Sequence, residues 1–331
     1  MTAGPPPSVA VVGAGMAGAA CARGLADAGW RVTVFDKARG AGGRCATRRI
    51  EPFRFDHGAQ YFTARDPAFC AQVEAWRRRG VVAAWEARIG VFEDGAMRPA
   101  GDETRRYVGV PGMSAMVRDL LDGVDLRLGV RFEALAETPD GWRATDSDGA
   151  SLGPFGHVAV TAPAPQAADL LAPVPALAAR AAVARLAPCW ALMAGFAAPL
   201  ELPVDGAFVN GGALRWLARS ASKPGRGPGE SWVAHADPDW SAVHLEREPD
   251  EVVSLLAGVF ADLVGRPLPA IRHLTAHRWR FALPAPALDE PCLYDPARRL
   301  GAAGDWCDGP RVEGAYLSGR ALASRIAESE C

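Results

Sequence analysis

Lysine is nearly missing from this chain: among 36 basic residues only Lys37 and Lys223 are lysines. Chemistry that needs a buried lysine as a base or a water anchor therefore has two candidates, and neither stands in a pattern that marks it for that role. The seven cysteines are odd in number and scattered, with no C-x-x-C. That excludes a disulfide framework, leaves no metal-binding spacing and reads as reduced thiols. No apolar run reaches the length of a bilayer-spanning helix, and the opening MTAGPPPS has no basic stretch. Neither a membrane anchor nor a signal peptide is expected, which points to the cytoplasm. Charge of one sign is also lacking: 36 Lys+Arg against 38 Asp+Glu gives a formal net charge of -2. A nucleic acid or an anionic membrane is not an expected partner. With 331 residues, 49% of them hydrophobic, the chain can bury a large core and is expected to form two lobes.

What is present begins with residues 9–44, VAVVGAGMAGAACARGLADAGWRVTVFDKARGAGGR. An apolar β-branched run predicts a buried parallel strand, and Gly13, Gly15 and Gly18 form G-x-G-x-x-G at its end. Gly13 makes the tight turn, Gly15 admits a pyrophosphate to the backbone, and Gly18 lets the following helix pack on the strand. Met16 and Ala17 open that helix, whose N–H groups and positive dipole end face the phosphates. A second strand ends on Asp36, a carboxylate placed to accept from ribose hydroxyls and to repel a 2′-phosphate. The unit predicts a Rossmann-like α/β lobe that binds a dinucleotide.

After Asp36 comes KARGAGGR, Lys37 to Arg44. It resembles the R-x-G-G-R element of the flavoprotein oxidases related to monoamine oxidase, in which a second glycine turn and an arginine close on the FAD pyrophosphate. Gly43 again permits close backbone approach, and Arg44 offers a planar fork to phosphate oxygens. FAD is the expected cofactor, and no cysteine stands in the setting used for covalent attachment.

Residues 53–63, FRFDHGAQYFT, read as a strand that turns at Gly58. With YVGVPGM (107–113), HRWRFA (277–282) and the last forty or so residues, this stretch resembles the renalase family, in its bacterial type. The resemblance implies that D-H-G-A-Q-Y-F crosses beneath the flavin ring. Gly58 and Ala59 are small enough to lie against it, while Gln60, Tyr61, Phe62 and, from HRWRFA, Trp279 become candidates to face the substrate. It also implies that the backbone at Val130 hydrogen-bonds the adenine.

Asp66-Pro67 predicts a capped helix to about Arg79, and residues 81–92 two short strands with a turn at Glu93-Asp94-Gly95. Residues 126–128, 132–137, 142–146 and 157–161 read as a meander forming the accessory sheet of the FAD lobe. Strand-like runs at 190–196, 207–210, 214–219, 231–236 and 273–281, with a helix at 249–264, predict a smaller α+β substrate lobe with a mostly antiparallel sheet. SASKPGRGPGE, residues 220–230, reads as a flexible turn with no packed core of its own. Gly304-Asp305 after a short strand, then Val312-Glu313-Gly314-Ala315 opening a helix, looks like the flavoprotein G-D motif. Asp305 would accept from ribityl hydroxyls, and the helix N-terminus would face the flavin's N1–C2=O edge. Residues 1–62, 105–164 and 290–331 are assigned to the FAD lobe, and 63–104 and 165–289 to the substrate lobe.

With neither lysine marked as a water anchor, and no acid/base constellation recognised, the expected donor is one that releases hydride without a protein base. An isomeric dihydronicotinamide nucleotide is such a donor. Renalase-like enzymes oxidise misreduced NAD(P)H isomers to NAD(P)+, with O2 becoming H2O2, and the resemblance implies this reaction with no catalytic side chain assigned. An FAD amine oxidase or other desaturating oxidase, and a flavin-binding sensor without turnover, remain as alternatives.

Overall fold

A computed structural model describes residues 6–93, 95–101 and 103–330. Asp94 of the expected turn, the opening residues 1–5 and Cys331 lie outside the described residues. The strand carrying the first glycine motif, Ser8–Val12, sits inside a six-stranded sheet. The order is Leu293–Asp295, Leu300–Ala302, His157–Val160, Ser8–Val12, Arg31–Asp36, Asp125–Leu128. Every neighbouring pair is parallel except Leu293–Asp295 with Leu300–Ala302. Side chains alternate between two apolar clusters, as a sheet covered on both faces requires. Val9, Val11, Val34 and Ala159 join Leu25 and Leu322 of the helices Met16–Asp27 and Val312–Glu328. Ala10, Val12, Phe35, Val158 and Val160 join Trp142, Ala167 and Trp306 on the other side.

Two expectations change with this sheet. His157–Val160 is not the end of an accessory meander but a central strand between Ser8–Val12 and Leu300–Ala302. It is buried at every residue, the mark of a strand covered on both faces. Asp125–Leu128 likewise leaves the meander and pairs in parallel with Arg31–Asp36 as the sheet edge. The accessory sheet is Phe132–Thr138, Gly141–Asp146 and Ser151–Phe155, its last strand unforeseen.

The second lobe is a seven-stranded sheet, ordered Ile271–Pro284, Leu186–Phe196, Glu230–Ala236, Leu214–Arg219, Gly206–Val209, Ile89–Glu93, Ala96–Pro99. It is antiparallel apart from Gly206–Val209 against Ile89–Glu93. Helix Pro249–Val264 covers one face, where Val252, Leu256 and Phe260 meet Trp190, Leu192 and Trp232. On the opposite face Ala191, Met193, Val233 and Trp279 pack on Phe53 and Phe55 of the hairpin Thr47–Ile50/Phe53–Asp56. That hairpin leads into residues 57–62, so the second lobe is seated directly on the segment expected beneath the flavin. Helices Ala164–Leu170 and Pro175–Val183 belong to the cluster of Phe35 and Val158, and Phe69, Val73 and Trp76 of helix Pro67–Arg78 to that of Leu25. The first lobe's packing therefore extends past residues 62 and 164. Among the described residues no helix is long and apolar enough to cross a membrane.

Candidate functional site: a dinucleotide cradle and a buried polar cluster

The glycine turn is built as its spacing demands. Gly13 has φ 115° and its amide donates to the Phe35 carbonyl at 2.7 Å. A Cβ there would come within 2.8 Å of Thr161 Oγ1, and one on Gly18 would run into the Gly13 carbonyl. Gly15 differs, because no atom lies within 4 Å of where its Cβ would be. That open face is where an anion can reach the helix N-terminus, beside the buried Met16 and Ala17. The Asp36 carboxylate accepts from Ala14 N and Ala38 N, each at 2.7 Å. Both oxygens are thus aimed and keep lone pairs for ribose hydroxyls. A Cβ on Gly43 would lie 3.2 Å from Gly15 Cα, so the second glycine turn is stacked on the first.

Arg44 and Asp305, expected at separate parts of the cofactor, form a bidentate pair at 2.7 and 2.6 Å across 261 residues of chain. Arg44 also donates to the Ala282 carbonyl at 2.9 Å, which commits three of the roughly five N–H groups of a guanidinium and leaves the rest for phosphate. Gly304 N donates to Ser318 Oγ at 3.0 Å, anchoring the G-D turn on helix Val312–Glu328. Glu313 is buried and spoken for by the backbone: it accepts from Arg65 N and Asp66 N at 2.6 and 2.8 Å. Gly314 is there because a Cβ would strike the Gly309 carbonyl, while Val312 and Ala315 stay half-buried. Val130 N donates to the Asp36 carbonyl at 3.0 Å, placing it at the ribose end, and Lys37 is exposed. The two stacked glycine turns, the open face over Gly15 and the aimed acid fit a dinucleotide.

A second cluster lies along residues 56–60. Asp56 is fully buried, with Oδ1 accepting from Thr47 Oγ1 at 2.7 Å and Met113 N at 3.2 Å. Its Oδ2 takes Arg226 Nη2 at 2.6 Å, Arg226 Nε at 3.1 Å and Lys223 Nζ at 3.3 Å. The Lys223 ammonium also donates to Gln60 Oε1 at 3.1 Å. This corrects two expectations. The segment 220–230 is not a turn without packing, since Ser220, Lys223, Arg226 and Glu230 are all buried. Lys223, unmarked by its sequence context, is hydrogen-bonded to a residue expected at the flavin. Burial alone would raise the Asp56 pKa, but Lys223 and Arg226 outweigh it and hold the carboxyl below its ordinary value. Burial pushes Lys223 down to about 8, with Asp56 pulling it up and Arg226 adding to the depression.

Of the substrate-facing candidates, Gln60 and Trp279 come together and Phe62 does not. Trp279 Nε1 donates to the His57 carbonyl at 2.9 Å, and its ring stacks on His57 at 5.0 Å with Cζ2 3.2 Å from a Cβ placed on Gly58. That Cβ would also strike the Arg44 carbonyl, to which Ala59 N donates at 2.8 Å. Gly58 is therefore held between the cofactor arginine's backbone and the substrate lobe. Tyr61 is half-buried between Trp85 and Trp216. Phe62 turns into the core against Phe69 and Tyr107, because its backbone is locked to Tyr107 by a reciprocal pair of hydrogen bonds.

A family profile for the flavin-containing amine oxidoreductases matches residues 85–327, and one for NAD(P)-binding Rossmann-like domains matches 11–73. The chain belongs to the flavin-containing amine oxidoreductase family. Solved structures with the same fold include a candidate protoporphyrinogen oxidase from Exiguobacterium sp. 255-15, at 14% identity and TM-score 0.78, covering 98% of this chain and 100% of that one. Cyclohexylamine oxidase from Brevibacterium oxydans IH-35A follows at 13% identity and TM-score 0.75, covering 98% and 99%. An oxidoreductase from Methanosarcina mazei gives 12% and 0.73, covering 96% and 99%. This amine oxidoreductase is an FAD-dependent enzyme, with a Rossmann-like lobe and a mostly antiparallel second sheet.

The sequence assigns no role to the histidines of this enzyme, although His57 and His277 stand inside the stretches expected at the flavin. His235 Nε2 lies 3.0 Å from the His57 carbonyl and 3.3 Å from Gln60 Nε2; its tautomer decides which contact is the hydrogen bond. Burial pushes His57 down to about 3, helped by His277 and Arg48. Burial also pushes His235 to about 4, against the pull of the His57 carbonyl, and His277 to about 4 with Arg48. All three are neutral at pH 7. The unfolded chain protonates its histidines near pH 6.5 while the native protein takes no proton at His57 or His235 until near 3 and 4. Stability is thus present above the unfolded pKa and lost as pH falls towards the folded ones. Two such groups give a slope of about 2 to 3 kcal/mol per pH unit near pH 5. Denaturant midpoints measured from pH 7 to 4 should fall, and His57→Asn should flatten the curve; an unchanged slope in the variant contradicts the assignment.

Proposed function

We propose that this flavoenzyme is a renalase-like oxidase of isomeric dihydronicotinamide nucleotides. The observation that carries the reading is the state of the polar groups around Gly58–Gln60. His57, His235 and His277 are neutral and largely desolvated, and Lys223 is tied to Asp56 and Gln60. Among the described residues the three imidazoles are poor proton acceptors, because burial holds their pKa values far below neutrality. Lys223, pushed down only to about 8 and paired with Asp56, is mostly an ammonium at pH 7, so the site suits a donor whose own ring nitrogen drives hydride out. Bound FAD supplies the two-electron acceptor. The protein's part is to hold the donor: Gln60 is pinned by Lys223, and Trp279, fixed to His57 by hydrogen bond and stacking, gives a flat apolar wall. Overall a dihydronicotinamide, O2 and one proton become the nicotinamide cation and H2O2, so atoms and charge balance. The likeness of D-H-G-A-Q-Y-F, YVGVPGM and HRWRFA to renalases supports the same reading. A cytoplasmic location suits a nucleotide donor.

Steady-state assays with O2 test the proposal. H2O2 should form in a one-to-one ratio with nicotinamide from 2- or 6-dihydronicotinamide nucleotides, and amines should give none. The second reading, amine oxidation, has one observation in its favour, the buried Lys223 beside Gln60, and turnover of amines alone would establish it. FAD is held without a covalent bond in this account. Cys307 and Cys45 are buried, and burial pushes both thiols up, Cys45 to about 12, so neither offers a thiolate for attachment. Acid precipitation should leave the flavin in the supernatant, and a yellow pellet contradicts this.

A further inference from the structure

The hairpin that carries Asp56 has a second polar face. Thr47 and Asp56 point to Lys223 and Arg226, so their paired neighbours Arg48 and Phe55 point the other way, to the strand Ile271–Pro284. There His273, His277 and Trp279 alternate onto one face. Arg48 is half-buried among them, and its side-chain contact is a long one, Nη2 to His277 Nδ1 at 3.5 Å. Among the described residues no carboxylate lies within ion-pairing distance of it. Among the described residues two imidazole nitrogens are also buried without a hydrogen-bond partner, His57 Nδ1 and His273 Nε2. His57 is only 5% exposed; the Phe55 carbonyl lies near its ring but not in hydrogen-bond geometry. His57 and His277 pack edge to face at 4.8 Å, and His273 lies on Phe55 at 5.6 Å. The Arg48 charge lowers the pKa of all three rings, which places each within its field.

A half-buried guanidinium without a carboxylate partner, beside buried imidazole nitrogens without hydrogen bonds, is a place where an anionic ligand would gain most. We propose that Arg48, with His57, His273 and His277, is the recognition site for a phosphate-type oxyanion, the phosphate of the dihydronicotinamide nucleotide. This rests on the function proposed above. The ligand chemistry fits: the guanidinium fork matches two phosphate oxygens, and neutral imidazoles donate N–H without adding repulsion between cations. Arg48, His273 and His277 are half-buried, so part of each side chain is open to a ligand, while the unpaired His57 Nδ1 and His273 Nε2 are enclosed and would have to be uncovered to donate. Trp279, two residues on from His277 on the same face, would then lie against the nicotinamide ring while the phosphate is held towards His277 and Arg48.

Calorimetric titration of FAD-loaded protein with inorganic phosphate reads the site without turnover. Wild type should bind phosphate, Arg48→Met should weaken it at least about 10-fold, as loss of a charged hydrogen-bond partner typically does, and Arg48→Lys should keep part of the affinity. Flavin absorbance in the same samples shows whether each variant is folded and loaded. Nicotinamide mononucleotide should bind wild type about 10-fold or more tighter than its riboside, and Arg48→Met should erase that ratio. Phosphate that fails to bind wild type, or binds loaded Arg48→Met equally well, overturns the site even if dihydronicotinamides are oxidised. Phosphate binding that needs Arg48, with no preference for mononucleotide over riboside, upholds the oxyanion site and overturns the nucleotide reading beneath it.

Discussion

Asp56→Ala is expected to destabilise the protein by about 3 to 5 kcal/mol or more, because it strands two buried cations. The Lys223 and Arg226 side chains have no exposure, and Asp56 Oδ2 is the one carboxylate oxygen that either reaches among the described residues. Arg226 keeps the carbonyls of Gly109 and Pro224, at 2.6 and 2.7 Å, and Lys223 keeps Gln60. Those are dipoles, which do not offset two like charges in one buried site. Removing a cation as well should recover part of the loss: Asp56→Ala/Lys223→Met is expected to be more stable than Asp56→Ala, although single changes at unrelated sites add. Urea denaturation of the four proteins of this cycle measures the coupling. A loss below about 1 kcal/mol for Asp56→Ala, or simple additivity, shows that the triad is not a buried charge cluster.

The second large effect falls on the cofactor. If Asp36 accepts from two ribose hydroxyls, as its spacing predicts, Asp36→Ala would remove two charge-assisted hydrogen bonds worth roughly 1.5 to 3 kcal/mol each, and FAD should bind about 100-fold to 10,000-fold more weakly. It also releases Ala14 N, inside the glycine turn, and Ala38 N. Asp66→Ala is the matched control: that carboxylate only caps the helix Pro67–Arg78, accepting from Ala68 N and Phe69 N at 2.8 and 3.2 Å, and is worth about 1 kcal/mol of stability. The flavin-to-protein absorbance ratio after gel filtration separates the two. Equal occupancy means that Asp36 does not hold the ribose.

These residues also show what a sequence can and cannot display. Gly13, Gly15, Gly18 and Asp36 lie within one strand–helix–strand unit, so the roles expected of them are written in local spacing, and the turn, the helix start and the acid stand where that spacing puts them. The strands 214–219 and helix 249–264 were legible for the same reason, as apolar periodicity bounded by proline and glycine. His157–Val160 could have been placed correctly, since an unbroken apolar run marks a strand with both faces covered. Lys223 was not legible. Its surroundings, Ser, Pro and Gly, have the composition of a solvated loop, and what buries it is Asp56, 167 residues away. The one available hint was scarcity, because a chain with only Lys37 and Lys223 had kept a lysine in the middle of SKPGR. The Arg44–Asp305 pair was hidden in the same way: each was assigned to the cofactor singly, and only the fold brings the two motifs into contact.

The most direct measurement is anaerobic stopped-flow mixing of the FAD-loaded enzyme with candidate donors, following loss of flavin absorbance. Isomeric dihydronicotinamide nucleotides should bleach the flavin rapidly and ordinary NADH slowly, because only a donor whose sp³ carbon meets the acceptor in near-attack geometry reacts. The rate should vary little with pH near neutrality, below the titration of Lys223, since His57, His235 and His277 are already neutral and no group must accept a proton. Gln60→Ala and Trp279→Ala should slow it while the flavin stays bound. Fast bleaching by a simple primary amine, falling at low pH as the amine is protonated, with none by any dihydronicotinamide isomer, contradicts the account.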